Sequence, residues 1–305
     1  MPGSQDYVQD SRNAGVRVYL NGALVPREEA KVSVLDAGFV LGDGVWEGFR
    51  LHKGALLFAE AHVNRLLAGA RAIALDPQMT REDFIRAVRT TLDANGMRHG
   101  VHIRLMLTRG EKRTANQDPR NAVGRPTLVI IAEYKEPSPA LATRGLVLST
   151  SSVRCTPREM FDMRINSHSR LNLVMALNEA IAAGADEALM LDLHGFVSSC
   201  NATNFFFVRN GEVCTSTGDC CFNGITRAHV IELCRTDRIP VRIGDFTLAQ
   251  VHDAAEAFVT GTFGGITPVR SVDGIVLPAT LPGPTTARLL ALYEDLKDAE
   301  AARGA

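Results

Sequence analysis

The segment Phe205-Phe-Phe-Val-Arg-Asn-Gly-Glu-Val213 decides the fold class, because an Asn-Gly dipeptide separates two strand-like apolar runs. Glycine accepts the positive φ that a tight hairpin turn requires. Other dipeptides that end in glycine separate apolar runs in the same way: Asn21-Gly22, Lys53-Gly54, His194-Gly195 and Asp273-Gly274. Repeated hairpins of this kind predict a sheet that is largely antiparallel.

Helical periodicity appears between the hairpins. The spacing of apolar residues predicts helices at residues 59–74, 80–94, 171–183, 226–235 and 285–302. Thr80 is a suitable N-cap, because Glu82 and Asp83 follow it in the first turn. Helices and hairpins that do not alternate strictly predict an α+β fold.

The segment Glu133-Tyr-Lys-Glu-Pro-Ser-Pro-Ala-Leu-Ala-Thr143 is the best candidate for an interdomain linker. It follows a predicted strand at residues 127–132, and its two prolines are expected to prevent regular structure. We therefore predict an N-terminal domain of residues 1–134, a linker of residues 135–145 and a C-terminal domain of residues 146–305. The chain shows no internal repeat, which predicts that the two domains have different folds.

Composition excludes several classes of protein. The chain has 305 residues, 46% of them hydrophobic, and a formal net charge of -1. It therefore has no net positive charge that would attract nucleic acid or anionic lipid. No apolar run approaches the roughly 18 residues of a membrane-spanning helix. The six cysteines lack Cys-x-x-Cys or metal-finger spacing, and residues 1–17 lack the apolar core of a signal peptide. We expect free thiols, no bound metal and a cytoplasmic location.

Three segments have the chemistry of a phosphate site. Gly224-Ile-Thr226 precedes a helical run, so the backbone N–H groups of Ile225 and Thr226 are expected to face an anion at the helix start. Thr262 follows Gly261 and offers a hydroxyl, and Arg65 offers a fixed positive charge. Each segment taken alone also fits an ordinary helix cap, turn or surface arginine.

Taken in order, several segments resemble the fold type IV pyridoxal-phosphate enzymes, which include branched-chain aminotransferase, D-amino acid aminotransferase and aminodeoxychorismate lyase. The resemblance covers nearly the whole chain, and its segments are residues 36–47, 62–66, 171–172, 186–191, 195–205, 224–227 and 260–269. It implies a smaller N-terminal α/β domain, a larger C-terminal domain and a cleft between them for pyridoxal 5'-phosphate or pyridoxamine phosphate. It also implies a homodimer that acts on a small amino or keto acid.

The resemblance assigns roles to particular residues. Cofactor-binding roles fall on Arg65, Ser199, Asn204, Gly224, Ile225, Thr226, Gly261 and Thr262. Substrate-binding roles fall on Phe39, Arg109 and Phe263. Phe39 can equally fill the core, and Arg109, like Arg104, can equally be a solvated arginine.

The family's Schiff-base lysine is absent. Patterns such as Lys-x-Leu-Asn place it about three residues before Asn172, which gives Ser169, or Arg170 after a shift of one residue. A hydroxyl cannot form an imine, and a guanidinium stays protonated. His168 can move a proton near neutral pH but cannot hold the aldehyde. Ser169, Arg170 and His168 are therefore the candidates for the altered catalytic position.

A second departure concerns the pyridine nitrogen. Many relatives place a glutamate five residues before the equivalent of Asn204, and this chain has Ser199 there. A carboxylate keeps the nitrogen protonated, whereas a serine hydroxyl tolerates a neutral ring. We therefore expect the cofactor ring to withdraw electrons less strongly from the substrate than it does in those relatives.

The two departures leave several functions open. The chain can be an aminotransferase-like enzyme with noncovalent cofactor, or one with the cofactor attached to another lysine. Lys112 is the first choice for relocated attachment, although we expect it to be an ordinary solvated loop residue, and Lys135 and Lys53 are weaker choices. A lyase or elimination enzyme on the same scaffold and a non-catalytic binding protein for a phosphorylated ligand are the alternatives.

Overall fold

The computed structural model describes residues 3–304, and the chain forms two compact units. The N-terminal unit comprises Gln9–Glu136, Ile165–Arg170 and the residues from Lys297 onward. The C-terminal unit comprises the residues up to Val8, Pro137–Arg164 and Leu171–Leu296. Both units combine helices with a mainly antiparallel sheet, which confirms the predicted α+β class. Within residues 3–304, no helix is both long and apolar enough to cross a membrane.

The N-terminal unit contains a six-stranded sheet in the order β2-β1-β6-β5-β3-β4, with antiparallel pairing throughout. Its elements are β1 (Arg17–Leu20), β2 (Ala23–Pro26), α1 (Ala37–Leu41), β3 (Gly44–His52), β4 (Ala55–Leu56), α2 (Ala59–Ala72), α3 (Arg81–Ala94), β5 (Val101–Thr108) and β6 (Thr127–Tyr134). Alternate residues of β5 are buried in a core with residues of α2 and α3, including Leu66 and Phe84.

The hexapeptide Ile165–Arg170 pairs with the beginning of β3. His168 N donates to Gly44 O at 3.0 Å, and Trp46 N donates to Asn166 O at 2.9 Å. The Asn166 side chain donates to Trp46 O at 2.6 Å. This pairing fixes the segment in which the family's lysine was expected.

The C-terminal unit contains a nine-stranded sheet in the order β12-β11-β10-β13-β14-β7-β8-β9, with β15 paired to β14. Its elements are α4 (Ala140–Arg144), β7 (Leu146–Thr150), α5 (Leu171–Ala182), β8 (Glu187–Leu191), β9 (Val197–Cys200), β10 (Asn204–Arg209), β11 (Glu212–Thr215), α6 (Ile225–Thr236), β12 (Val241–Ile243), α7 (Leu248–His252), β13 (Glu256–Gly261), β14 (Gly265–Val272), β15 (Ile275–Val276) and the part of α8 (Pro284–Gly304) that precedes Lys297. Three pairings, β11 with β12, β14 with β7 and β7 with β8, are parallel.

All predicted hairpins are confirmed, and they connect β1 to β2, β3 to β4, β8 to β9, β10 to β11 and β14 to β15. In four of them the residue before glycine also has positive φ, as in Asn210 at 54° followed by Gly211 at 74°. Two successive residues with positive φ match the twist of a two-residue hairpin. The predicted helices are confirmed to within about two residues of their ends.

The expectation that Pro137 and Pro139 prevent regular structure is wrong. Helix α4 begins directly after Pro139, which is its N-cap, and Leu141 in this helix is buried. Proline is tolerated at a helix start, because the first N–H groups of a helix have no partner within the helix.

Candidate active site

Glu47, His62 and Arg65 form a buried cluster in the N-terminal unit. Glu47 lies on β3, and His62 and Arg65 lie on α2 at a spacing of three residues, which places both on one helix face. Arg65 Nε and Nη2 lie 2.7 Å from the two Glu47 carboxylate oxygens, and His62 Nδ1 lies 2.8 Å from Oε2. Sequence reasoning found Arg65 but missed both partners, although the spacing of His62 and Arg65 signalled a shared face.

Charge within this cluster follows from burial and pairing. Burial alone raises the pKa of Glu47, but the hydrogen bonds and charge of Arg65, with His62, outweigh burial and lower it. Burial also lowers the pKa of His62. The cluster therefore holds an ion pair between Glu47 and Arg65 beside a neutral imidazole.

Two further arginines lie beside Trp46 in the same unit. The Arg104 guanidinium carbon lies 3.7 Å from the centre of the Trp46 ring, and that of Arg170 lies 5.7 Å from it. Arg170 Nε donates to Ser167 O at 3.0 Å, and Nη2 donates to Asn166 Oδ1. Burial, with the charges of Arg104 and Arg65, lowers the pKa of Arg170 to about 10. This positive region favours a bound anion.

The two residues before Arg170 lie against glycines. Ser169 Oγ donates to Gly42 O at 3.3 Å, and a Cβ at Gly42 would lie 2.7 Å from that Oγ. A Cβ at Gly44 would lie 2.9 Å from Cδ2 of the His168 ring. Glycine at both positions therefore allows the segment to approach closely.

Phe39 and Arg109, the two predicted substrate residues of the N-terminal unit, have different surroundings. Phe39 is 72% exposed on α1. Arg109 binds Asp43 through Nε at 2.6 Å and Nη2 at 3.0 Å, and it donates to the carbonyls of Ile73 and Ala74. The alternative of a solvated Arg109 is wrong, because its side chain is largely buried and its guanidinium is bound by Asp43 and by the two carbonyls. Its role toward a substrate stays a prediction, as does that of Phe263, which is buried in the C-terminal unit.

The expectation that Lys112 is a solvated loop residue is also wrong. Lys112 is 1% exposed, and its Nζ donates to Asp118 O at 2.8 Å. Its backbone pairs with Ala122 and bonds to Leu35 O, so the loop folds back over the side chain. A buried amine that already donates to a carbonyl is poorly placed to react with an aldehyde.

Asn204 connects several predicted cofactor residues in the C-terminal unit. Its Nδ2 donates to Ser199 Oγ at 3.3 Å and to Phe222 O at 2.7 Å, while its Oδ1 accepts from Gly224 N at 3.1 Å. Thr260 is its cross-strand partner on β13, directly before Gly261. The structure therefore brings Ser199, Asn204, Gly224 and Gly261 into one region.

The start of α6 has the features of an anion site. The N-cap is Gly224, which provides no side-chain cap for the first backbone N–H groups. Ile225 and Thr226 begin a helix of 12 residues, so the helix dipole adds to these donors. Thr226 Oγ1 lies 3.5 Å from the Tyr293 hydroxyl, and Thr262 lies in the turn between β13 and β14.

Ser199 occupies the expected glutamate position. Its Oγ donates to Thr203 O at 2.7 Å, so it has a lone pair rather than a proton to offer to another group. Thr203 also donates through its hydroxyl to Glu187 Oε2 at 2.6 Å. Burial raises the pKa of Glu187 to about 7.

Known proteins are similar to this chain in sequence and fold. Residues 44–272 match the family model for amino-transferase class IV. The chain is 40% identical to branched-chain-amino-acid aminotransferase-like protein 2 of Arabidopsis thaliana over 94% of its length but only 51% of that relative's. It is 37% identical to a putative branched-chain-amino-acid aminotransferase of Methanocaldococcus jannaschii, over 92% of this chain and 96% of that relative.

Similarity extends to D-amino acid enzymes and to solved structures. A D-alanine aminotransferase of Listeria monocytogenes is 32% identical over 90% of this chain and 93% of its own. A crystal structure of the branched-chain aminotransferase of Thermoproteus uzoniensis with norvaline gives a TM-score of 0.83 at 32% identity, covering 93% of this chain and 95% of that one. Another crystal structure, of a branched-chain amino acid aminotransferase with pyridoxamine 5'-phosphate, gives a TM-score of 0.86 at 29% identity over 92% of this chain and 93% of that one.

The similarity covers different shares of these relatives. The chain spans about half the length of the Arabidopsis relatives and nearly the whole of the archaeal and bacterial ones. The family model itself matches most of the chain. Together these similarities show that the chain belongs to the class IV aminotransferase family.

Proposed function

We propose that this chain is an aminotransferase-like enzyme that binds pyridoxal 5'-phosphate or pyridoxamine phosphate without a covalent bond and acts on a small amino or keto acid. One observation carries the proposal. The C-terminal unit has an uncapped helix start of the kind that binds phosphate, whereas Ser169 and Arg170 provide no reactive amine.

The phosphate end of the cofactor fits the residues present. Gly224 N is held by Asn204, a Cβ at Gly224 would lie 2.3 Å from Asn204 Oδ1, and the next N–H groups begin α6. Thr226 and Thr262 are the residues that we propose supply hydroxyls to the same phosphate. Arg65 stays a predicted cofactor-binding residue, and Glu47 fixes its orientation within the N-terminal unit.

The aldehyde of the cofactor has no lysine to react with at Ser169 or Arg170, where the family's lysine is expected. Lys112, the first choice for relocated attachment, is buried and bonded to Asp118 O. Lys53 is ion-paired with Asp298 at 2.7 Å. These contacts support a noncovalent cofactor over attachment to either lysine.

The bound cofactor supplies an electron-accepting ring, and the chain supplies orientation and charge. Arg104 and Arg170 attract the substrate carboxylate, and Trp46 fixes the Arg104 guanidinium by stacking. Ser199 Oγ would accept a hydrogen bond from a protonated ring nitrogen, because its own proton is donated to Thr203 O. A serine oxygen is a weaker acceptor than a carboxylate, so we expect slow transamination.

We propose a homodimer for this enzyme. Helix α5 exposes apolar side chains at helical spacing, and Leu171, Val174, Met175 and Ile181 are 72%, 49%, 52% and 58% exposed. An apolar stripe of this kind is typical of an interface. A second copy of the chain is the partner that the family supports. We also propose a cytoplasmic location, since all six cysteines are free thiols.

The experiment compares pyridoxal phosphate with pyridoxal. Purified protein is titrated with each compound, reduced with borohydride and analysed by intact mass and peptide mapping. We expect pyridoxal phosphate to bind at least about 100-fold more tightly, because several charge-assisted hydrogen bonds are lost without the phosphate. We also expect visible absorbance without a pyridoxyl adduct on any lysine.

Other outcomes identify the alternatives. An adduct on Lys112 or Lys135 would establish relocated attachment and overturn the noncovalent proposal. Binding without turnover of any amino acid would favour a binding protein for a phosphorylated ligand. Products of elimination, rather than a keto acid, would indicate a lyase.

A further inference from the structure

We propose that Arg104 and Arg170 together bind a doubly charged anion beside Trp46, so that the substrate is an amino or keto acid with a second acidic group. This inference rests on the proposed function and names the class of acid that the two arginines select. The contacts that carry it lie within the N-terminal unit alone.

The sheet places Arg104 beside Trp46. Arg104 on β5 pairs with Gly48 on β3, and Trp46, two residues before Gly48, faces the same side of the sheet. A Cβ at Gly48 would already touch Cζ3 of Trp46 at 3.8 Å, so a longer side chain there would compete with the ring for space. The Arg104 guanidinium carbon lies 3.7 Å from the ring centre. Stacking of this kind fixes a guanidinium and leaves the N–H groups at its edge available to a ligand.

Arg170 is tied to the same tryptophan. Arg170 Nε and Trp46 Nε1 both donate to Ser167 O, at 3.0 Å and 3.1 Å. Arg170 Nη2 donates to Asn166 Oδ1, and the Asn166 amide donates to Trp46 O at 2.6 Å. These acceptors are neutral, so they orient the Arg170 guanidinium without cancelling its charge.

Arg12 provides a comparison within the same unit. Its guanidinium carbon lies 3.6 Å from the centre of the Tyr134 ring, and its Nε and Nη2 donate to the Asp10 carboxylate at 2.9 Å and 2.6 Å. Among residues 3–304, the Arg104 guanidinium has no such hydrogen bond or salt bridge. Arg104 is half-buried, and its nitrogen atoms keep contact with solvent. A stacked arginine without an acceptor is therefore open to a ligand.

The positive charge of this pair is only partly balanced. Glu47 attracts both Arg104 and Arg170, but its carboxylate oxygens are bonded to Arg65 and His62. One carboxylate thus serves three arginines. Burial lowers the pKa of Arg104 and of Arg170, as expected for cations whose charge is incompletely compensated.

Two guanidinia beside one ring favour an anion with two negative charges. A carboxylate carries one charge, and its two oxygens match one guanidinium fork. A second carboxylate or a phosphate on the same molecule supplies acceptors for the second guanidinium. An apolar side chain would instead leave the second charge uncompensated in a half-buried site.

The first test compares acids that differ in the second acidic group. Protein free of cofactor is titrated at low salt with α-ketoglutarate and α-ketovalerate, and with phosphoglycerate and glycerate, by isothermal titration calorimetry. We expect the doubly acidic member of a pair to bind at least about tenfold more tightly. A preference within one pair alone supports the inference and identifies the second group as carboxylate or phosphate. Equal affinities within both pairs would overturn it.

The second test locates the anion. Trp46 is the only tryptophan of the chain, so the emission of the wild type at saturation reports on this site. We expect a shift with the preferred dianion, and unchanged emission would place the anion elsewhere. This measurement and the comparison of acids need no variant, so they can overturn the inference even if a substitution prevents folding.

Variants assign the preference to the two arginines. Arg104→Gln and Arg170→Gln should each reduce the preference for the dianion to less than about twofold. Arg12→Gln is the matched control, because Arg12 stacks on Tyr134 at a similar distance but is paired with Asp10. It should keep the preference of wild type. An unchanged preference in both site variants, or an equal loss in Arg12→Gln, would refute the assignment.

The outcomes separate the two proposals. If wild type binds pyridoxal phosphate but does not prefer dianions, this inference alone fails. If wild type prefers dianions at Trp46 but does not bind pyridoxal phosphate, the proposed function fails and the anion site stands. With both bound, the dianion should stay in place. Its displacement by pyridoxal phosphate would show that the two arginines hold the cofactor instead, and would overturn the inference.

Discussion

The side chain of Asn204 holds both ends of a short turn, because it accepts a hydrogen bond from Gly224 N at 3.1 Å and donates to Phe222 O at 2.7 Å. The turn leads directly into α6, where the first N–H groups form the proposed phosphate site. We therefore propose that Asn204 acts on the cofactor through the backbone of Gly224.

Asn204→Ala should weaken cofactor binding as well as stability. Loss of these buried hydrogen bonds should cost about 1–3 kcal/mol of unfolding free energy and reduce affinity for pyridoxal phosphate about tenfold. Absorbance titration and chemical denaturation measure the two effects. Asn201→Ala is the matched control, because Asn201 is buried and accepts from Ala188 N in the same unit. Equal loss of affinity in both variants would refute the specific role of Asn204.

A lysine restored at position 169 should capture the cofactor. Ser169 is the position that the Lys-x-Leu-Asn spacing gives, and its backbone is fixed by Ser167 Oγ at 2.9 Å. We expect Ser169→Lys, after incubation with pyridoxal phosphate and reduction with borohydride, to carry a pyridoxyl adduct in peptide mapping. Arg170→Lys is the comparison variant. An adduct in Arg170→Lys but not in Ser169→Lys would show that Arg170, and not Ser169, aligns with the family's lysine.

Glu47→Gln should destabilise the N-terminal unit strongly. The change leaves Arg65 without its buried counter-charge, at a cost of about 3 kcal/mol or more in unfolding free energy. Denaturant unfolding measures the change, and Asp93→Asn, in an exposed ion pair with Arg98, should have little effect. Comparable losses in both variants would argue against a special role for the buried pair.

The pH dependence of this cluster has a definite sign. The folded-state pKa of Glu47 is lowered, so its contribution to stability is present above the ordinary value of 4.5 and is lost as pH falls. His62 is held neutral, so its contribution is also lost as pH falls below the ordinary value of 6.5. Wild type should therefore lose more stability than Glu47→Gln as pH falls below 4.5, where Glu47 becomes protonated.

Glu187 should have the opposite dependence. Burial raises its folded-state pKa to about 7 from an ordinary value of 4.5, so its contribution is present below pH 4.5 and is lost as pH rises through 7. The difference corresponds to about 3 kcal/mol. Glu187→Gln should therefore gain stability relative to wild type between pH 5 and pH 8 in denaturant unfolding. Parallel pH curves for the two proteins would show that Glu187 does not titrate in this range.

Local signals in the sequence predicted the hairpins and helices well. Asn210 and Gly211 define a turn by their own backbone preferences, and Thr80 caps α3 through a bond to a residue only three positions away. Such signals need no knowledge of the rest of the fold. The start of α6 after Gly224 was also predictable, because a glycine before a helical run is a local feature.

Contacts between distant segments were not predictable from the sequence. Glu47 and Arg65 are separated by 18 positions, and Trp46 and Ser167 by 121, so no periodicity links them. The burial of Lys112 depends on its bridge to Ala122 and its bond to Leu35, and loop composition alone suggested a solvated side chain. Long-range pairing of this kind is a property of the completed fold.

The pairing of Ile165–Arg170 with the beginning of β3 has a consequence for how the chain can be divided. A fragment that ends at Glu136 would leave Gly44 O, Trp46 N and Trp46 O without their hydrogen-bond partners. During synthesis on the ribosome, the edge of β3 stays incomplete until residue 170 has emerged. Separate expression of the first half should therefore yield a weakened sheet edge that a synthetic peptide of residues 165–170 can repair in trans.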